Sequence, residues 1–276
     1  MRVDKVTSGD GANIPVYSTG AGPGIVILHG GGAAVRDYQR LAAALSDRFT
    51  VHLYNRRGRP DTAPLTGTET TETDLADLGV VLEHTGARSV FGHSGGGFVA
   101  LRAGLSGLPL ERIAVYDPAL RIEGRRELEF VDEFERLVAA GDHARAMTVM
   151  ARTTYPDDIG AKLPFGLALG VTRLFLRTPI GRRFVDLMPT IPPEVRRIHE
   201  HGGPAGDYAG ITAEMLLTAG SRSPRYFMEN CQAIADVAQR GRALLIPKSS
   251  HNAANIARAA FVRPFADFFA GSLKAA

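Results

Sequence analysis

Cysteine is nearly absent. Cys231 is the only one in 276 residues, so no intrachain disulfide can form, and a reducing compartment, the cytoplasm, is the expected location. Charge of one sign is not in surplus: 32 basic residues face 29 acidic ones, for a net +3, and the arginines are spread rather than blocked. That argues against a nucleic-acid surface. No hydrophobic run approaches the roughly 18 residues of a membrane helix. The opening Met1-Arg2-Val3-Asp4-Lys5 lacks the apolar core of a signal peptide. Internal repeats and a low-complexity tail are missing too. What is left, 45% hydrophobic and 22% charged, has the balance of a globular protein, and the length suits one large α/β domain or one carrying an insertion.

Against these absences one stretch stands out, Phe91-Gly92-His93-Ser94-Gly95-Gly96-Gly97. It follows an apolar strand-like run and precedes a helix-like run of small residues. Gly92, Ser94 and Gly96 fit Gly-x-Ser-x-Gly, in which a serine sits on a strained strand-to-helix turn that leaves no room for side chains two residues either side. The next N–H then lies at a helix N-terminus, where partial positive charge favours an oxyanion. The strand before and the helix after favour a nucleophile over an incidental serine in a glycine turn.

The rest of the chain supplies the context. Residues 2–7 and 13–18 read as strands joined by the hairpin signal Ser8-Gly9-Asp10-Gly11. The continuous apolar run 25–28 suits a strand buried on both faces and ends in His29-Gly30-Gly31-Gly32, whose glycine N–H groups are unobstructed. A helix is expected over 37–45 and a strand over 49–54. Thr73 and Asp74 can cap a helix running to about His84. After the Ser94 strand and helix comes a strand over 113–116, ending at Asp117-Pro118. This alternation predicts a parallel sheet with helices on both faces and ligands beyond the strands' carboxyl ends, where His29, Ser94 and Asp117 all lie.

From 120 to 210 the character changes. Residues 128–140 and 142–152 are helical in pattern, 163–176 are apolar, and Pro189, Pro192, Pro193 and Pro204 punctuate the remainder. This reads as a helical insertion, so the expected domains are a core over 1–119 and 211–276 and a cap over 120–210. The sheet pattern resumes with a strand over 214–218, a helix over 226–239 carrying a buried Cys231, and a last strand over 243–246 leading to His251. The closing helix, 253–269, should kink or break near Pro264.

Taken together, His29-Gly30-Gly31, the Gly92-His93-Ser94-Gly95-Gly96 elbow, the helical insertion and the late His251 resemble the α/β-hydrolase fold superfamily over almost the full length. The fold implied is a mostly parallel central sheet flanked by helices, with a helical cap inserted after the strand ending at Asp117. The resemblance implies Ser94 as nucleophile, His251 as general base, and the backbone N–H groups of Gly31 and Gly95 as the oxyanion hole. The chemistry needs these types: a serine hydroxyl attacks only when a base takes its proton, and an imidazole can take and return it near neutral pH. A third group, a carboxylate, fixes the imidazole's tautomer. In most of the superfamily that acid follows the strand placed here at 214–218, yet this loop offers Ser221, Arg222 and Ser223. Some members place it one strand earlier, which points to Asp117, 23 residues after Ser94.

The function implied is a cofactor-independent serine hydrolase acting on an ester or lactone of a small apolar molecule, as monomer or homodimer. Two other readings stay open on the same residues: a non-hydrolytic lyase, cyclase or acyltransferase, and a receptor that uses the cap pocket. His199 and His201 flank Glu200 but lack a further partner at ligand spacing, so neither a metal nor a cofactor is expected.

Overall fold

The computed structural model describes residues 1–123, 129–156 and 159–273. These form an eight-stranded sheet in the order β1-β2-β4-β3-β5-β6-β7-β8. The strands are β1 (Arg2–Thr7), β2 (Asn13–Thr19), β3 (Gly24–Leu28), β4 (Thr50–Tyr54), β5 (Ser89–His93), β6 (Arg112–Tyr116), β7 (Glu214–Gly220) and β8 (Gly241–Ile246). The hairpin strand β2 runs antiparallel to both of its neighbours, β1 and β4; from β4 to β8 every pairing is parallel. Strands buried on both faces read as unbroken apolar runs, and Ile25 to Leu28 and Ile113 to Tyr116 are at most 1% exposed.

The order has a functional consequence. From β3 the chain steps to β4 on one side and then returns to β5 on the other, so the β3/β5 boundary is the topological switch point. In open α/β sheets ligands bind there, beyond the carboxyl ends. The loop after β3 starts at His29, and the turn after β5 is Ser94.

The chain divides into two compact units. The first comprises residues 1–30, 34–120 and 204–276. It holds the sheet and, flanking it, α1 (Gln39–Leu45), α2 (Thr71–Thr85) and α3 (Gly95–Leu105). Three later helices belong to it as well. They are labelled α10 (Arg225–Val237), α11 (Ala253–Ile256) and α12 (Ala259–Phe269), because six helices of the second unit intervene in the chain. That second unit comprises residues 31–33 and 121–203. Its helices are α4 (Val131–Ala139), α5 (His143–Thr154), α6 (Ile159–Lys162), α7 (Phe165–Leu176), α8 (Pro179–Leu187) and α9 (Ile191–Glu200). The two ends of its longer segment are bonded to each other. Gly203 N donates to Arg121 O at 3.1 Å, and Glu123 N donates to Gly203 O at 3.1 Å.

Several elements depart from the expected boundaries for local reasons. The helix expected over 37–45 opens with a separate 3-10 turn, Val35–Tyr38. Helix α2 is capped by Thr70 rather than Thr73 or Asp74: Thr70 Oγ1 accepts from Thr73 N, and Thr73 Oγ1 accepts from Thr70 N, a reciprocal cap. The helix start expected at Leu128 lies outside the described residues. Among the prolines expected to punctuate the second unit, Pro192 starts a helix instead, and so does Pro179 earlier in the unit. Pro179 and Pro192 lie in the first turns of α8 and α9, where an N–H has no intrahelical acceptor to lose. The final helix does break, but at Ala257 in a left-handed conformation, φ 53°, and not at Pro264. Proline there forfeits one hydrogen bond to exposed Ala260, whose carbonyl water can satisfy. Burial of Phe261, Phe265, Phe268 and Phe269 holds the helix through it.

Candidate active site

Ser94 terminates β5 with φ 53° and ψ −120°, a conformation that a residue with a side chain adopts only under constraint. The constraint is the packing of glycine backbones around it. A Cβ on Gly92 would fall 2.5 Å from Gly96 O, and one on Gly96 would fall 2.3 Å from Leu28 O. The turn is pinned further by hydrogen bonds. Ser94 N donates to Tyr116 O at 3.1 Å, and Ser94 O accepts from Ala119 N at 2.9 Å and Gly97 N at 2.9 Å. Gly95 is the first residue of α3, so its N–H has no acceptor within the helix.

Asp117 follows β6 with φ 43° and is fully buried. A buried carboxylate needs donors, and it has three. Gly220 N donates to Oδ1 at 2.9 Å, Ser223 Oγ donates to Oδ2 at 2.5 Å, and His251 Nδ1 lies 3.0 Å from the same Oδ2. Asp117 and His251 thus meet across 134 residues of sequence. An ionised carboxylate only accepts, so the proton sits on His251 Nδ1, and Nε2 presents its lone pair.

The loop after β7 has no acid to offer, yet it serves the site by donating to one. Ser223 is a functional candidate that sequence reading passed over. Its one signal was its place in the loop where an acid is usual, and a serine there fits a carboxylate supplied from the neighbouring strand. Gly220 is glycine by necessity: a Cβ would lie 2.3 Å from Tyr116 Oη and 2.4 Å from Ser249 O. Tyr116 Oη in turn donates to Ser250 O at 2.6 Å, which ties the end of β6 to the residue before His251.

Aromatic rings fix the His251 imidazole. Phe227 of α10 stacks on it, centroids 5.3 Å apart and planes 23° apart, and the His93 ring lies 4.6 Å away. His93 lies within 2.6 Å of Tyr38 Oη through Nδ1, and Tyr38 Oη already accepts from Gly30 N at 3.0 Å. Tyr38 Oη therefore donates a hydrogen bond to His93 Nδ1. Burial, and secondarily the positive charge His251 can carry, hold His93 well below the ordinary imidazole pKa. A neutral ring there keeps a second cation away from His251. Nothing in the sequence pattern marked Tyr38 for this role, because it packs on α1's N-terminus as an ordinary core residue would.

The loop after β3 is built as carefully. His29 Nε2 accepts from Arg56 N at 3.0 Å, so Nδ1 carries the proton and donates to Gly30 O at 2.9 Å. A Cβ on Gly30 would lie 3.1 Å from Ser94 Cβ. Gly30 N is already bonded to Tyr38 Oη, and Gly31 follows it in the loop. Gly31 groups with the second unit, where a Cβ on it would lie 3.4 Å from Glu194 Oε2.

Cys231 is fully buried, its Sγ 3.6 Å from Thr218 O, and burial pushes its pKa well up, so it is a packed thiol rather than a nucleophile. His52 bonds Ser18 Oγ at 2.8 Å. His199 and His201 lie in and after α9 in the second unit. Among the described residues no three His, Cys, Asp or Glu side chains gather as a metal site. A cavity of about 510 Å3 opens by Gly24, Arg88 and Arg112, at the amino ends of β3, β5 and β6. It lies at the wrong end of the strands for the Ser94 chemistry.

Comparison with known proteins adds an independent line. The model of the alpha/beta hydrolase family matches residues 25–265. An alpha/beta hydrolase from Sphaerobacter thermophilus DSM 20745 is similar in structure, with 24% identity, a TM-score of 0.80, and coverage of 96% of this chain and 100% of its own. A thermophilic esterase from Thermogutta terrifontis has 18% identity and a TM-score of 0.70 over 99% of this chain and 100% of its own. An enol-lactonase from Burkholderia xenovorans LB400 has 20% identity and a TM-score of 0.68 over 97% of this chain and 100% of its own. A search of curated proteins by sequence finds no match.

Proposed function

The chain belongs to the alpha/beta hydrolase family, and from that premise we propose that it cleaves an ester or lactone of a small apolar substrate through an acyl-enzyme on Ser94. The observation that carries this reading is the bond between His251 Nδ1 and the buried Asp117, at 3.0 Å. It orients an imidazole on the loop after β8, while the loop after β5 presents a serine in a conformation only a tight elbow tolerates. Similarity to an esterase and an enol-lactonase supports the substrate class.

In this mechanism His251 Nε2 takes the proton of Ser94 as its Oγ attacks the substrate carbonyl. The N–H groups of Gly95 and Gly31 stabilise the resulting oxyanion. The intermediate collapses, and His251 returns the proton to the leaving alkoxide. Water, activated by the same nitrogen, then attacks the acyl-enzyme and releases the acid. Asp117 supports the imidazolium throughout without itself changing protonation.

Steady-state turnover of a short-chain p-nitrophenyl ester and of a small lactone tests the reading. Ser94→Ala should lower kcat by a factor on the order of 10⁴ or more. Retained turnover in Ser94→Ala, combined with loss in His251→Ala, would instead point to base chemistry without an acyl-enzyme.

A further inference from the structure

Within the second unit, α7 turns an apolar stripe outward. Leu167, Val171 and Leu174 follow one another at spacings of four and three residues, which places them on one helix face, and they are 62%, 63% and 68% exposed. Gly166 and Gly170 border the stripe, and a Cβ built on either meets nothing within 4 Å. The opposite side of α7 is firmly seated. Ala168 is buried, Thr148 Oγ1 of α5 donates to Thr172 Oγ1 at 3.0 Å, and Arg145 and Arg152 lie over the Phe165 ring at 5.9 and 6.0 Å. The exposed stripe is therefore a fixed face and not a frayed one. Ile180 continues it at the start of α8, 61% exposed. Gly181 locks α8 onto the end of α7, since a Cβ there would fall 2.2 Å from Phe175 O.

Charge segregates to the same place. Between Asp158 and Asp186 lie five of the chain's 32 basic residues, Lys162, Arg173, Arg177, Arg182 and Arg183, and none of its 29 acidic ones. This segment is +5, while the remaining 27 basic and 29 acidic residues sum to −2. Among the described residues none of the five is ion-paired. On the α7 wheel Arg173 and Arg177 lie along one border of the apolar stripe.

We propose that the α7 face, with the start of α8, docks on an anionic lipid surface, the leucines and valine entering the headgroup boundary and the arginines pairing with phosphates. Large apolar side chains held out in water beside unpaired cations are the pattern of a helix that lies in a membrane interface. No helix among the described residues is long and apolar enough to cross a bilayer, so the contact is with the surface alone. A second copy of the chain fits worse, because a two-fold contact would set this +5 segment against its own likeness.

Co-sedimentation of the full chain with vesicles tests this. Binding is expected to vesicles of equal parts phosphatidylcholine and phosphatidylglycerol, to fall steeply with added salt, and to be absent on phosphatidylcholine alone. Arg173→Gln with Arg177→Gln should lower the partition coefficient about 30-fold, at about a fivefold loss per cation removed from an anionic surface. Leu167→Ser with Leu174→Ser should lower it roughly tenfold or more with an unchanged thermal melt, since both side chains are exposed. The wild-type salt titration stands even where a variant folds poorly. No binding to the anionic vesicles, or binding indifferent to salt, would overturn the proposal. So would a dimer in gel filtration that Leu174→Ser dissolves, or capture of an acidic protein by this face without vesicle binding.

Discussion

Asp117 concentrates the demands of the site in a single carboxylate. It is fully buried, sits at a positive φ, and shares one oxygen between Ser223 and His251. Removing its charge should therefore hurt far more than removing one of its donors. Asp117→Asn is expected to reduce kcat by about 10⁴, because the amide favours the wrong tautomer of His251. Ser223→Ala takes away one hydrogen bond to a charged group and should reduce kcat by roughly tenfold to a hundredfold, with KM little changed. Ser223→Thr, which keeps the hydroxyl, should recover most of it, and a pH–rate profile would separate a positioning role from loss of fold. Near-normal kcat in Asp117→Asn would remove that residue from the mechanism. At this scale Ser94 stood out as a candidate by its motif, and His251 and Asp117 became candidates through the resemblance to the α/β-hydrolase superfamily. Ser223, Tyr38 and Phe227 were not, since a serine in a loop and two buried aromatics look alike whether or not they brace a histidine.

Elements follow from caps and turns more than from periodicity. Helix α2 begins where Thr70 and Thr73 satisfy each other's backbone N–H groups, three residues before the cap its sequence suggested. The polar run from Thr68 to Thr73 offers several equivalent caps, and only tertiary packing chooses among them. Thr70→Ala should lower stability by about 1 kcal/mol, seen as a lower urea midpoint, and leave turnover unchanged. The prolines of the second unit teach a related lesson. A proline ends the helix before it and is welcome in the first turn of the next, so Pro179 and Pro192 mark helix starts that a reading of proline as punctuation overlooks. The core strands were plain, because continuous apolar runs of four or five residues between glycine-rich turns have few other homes.

At the scale of the whole molecule, buried neutral histidines couple the fold to pH. Burial, with lesser contributions from Arg2 and His84, lowers the His52 pKa to about 4, and burial holds His93 well below the ordinary value. The unfolded chain protonates these rings near pH 6.5, and the folded chain does not. Their stabilising contribution is thus complete above about pH 6.5 and declines as pH falls, for His52 down to about pH 4. Urea midpoints should drop between pH 7.5 and pH 5, and His52→Asn should flatten part of that drop; equal midpoints in the wild type would contradict it. The central claim also belongs to this scale, because Asp117 and His251 meet across 134 residues, at the ends of strands that only the complete sheet assembles. Its most direct test is treatment of the folded chain with a fluorophosphonate, followed by intact-mass and peptide-mapping mass spectrometry. The account predicts a single adduct on Ser94 that forms in the native chain and not in urea. An unlabelled Ser94 in the native chain, or label scattered over several serines, would contradict it.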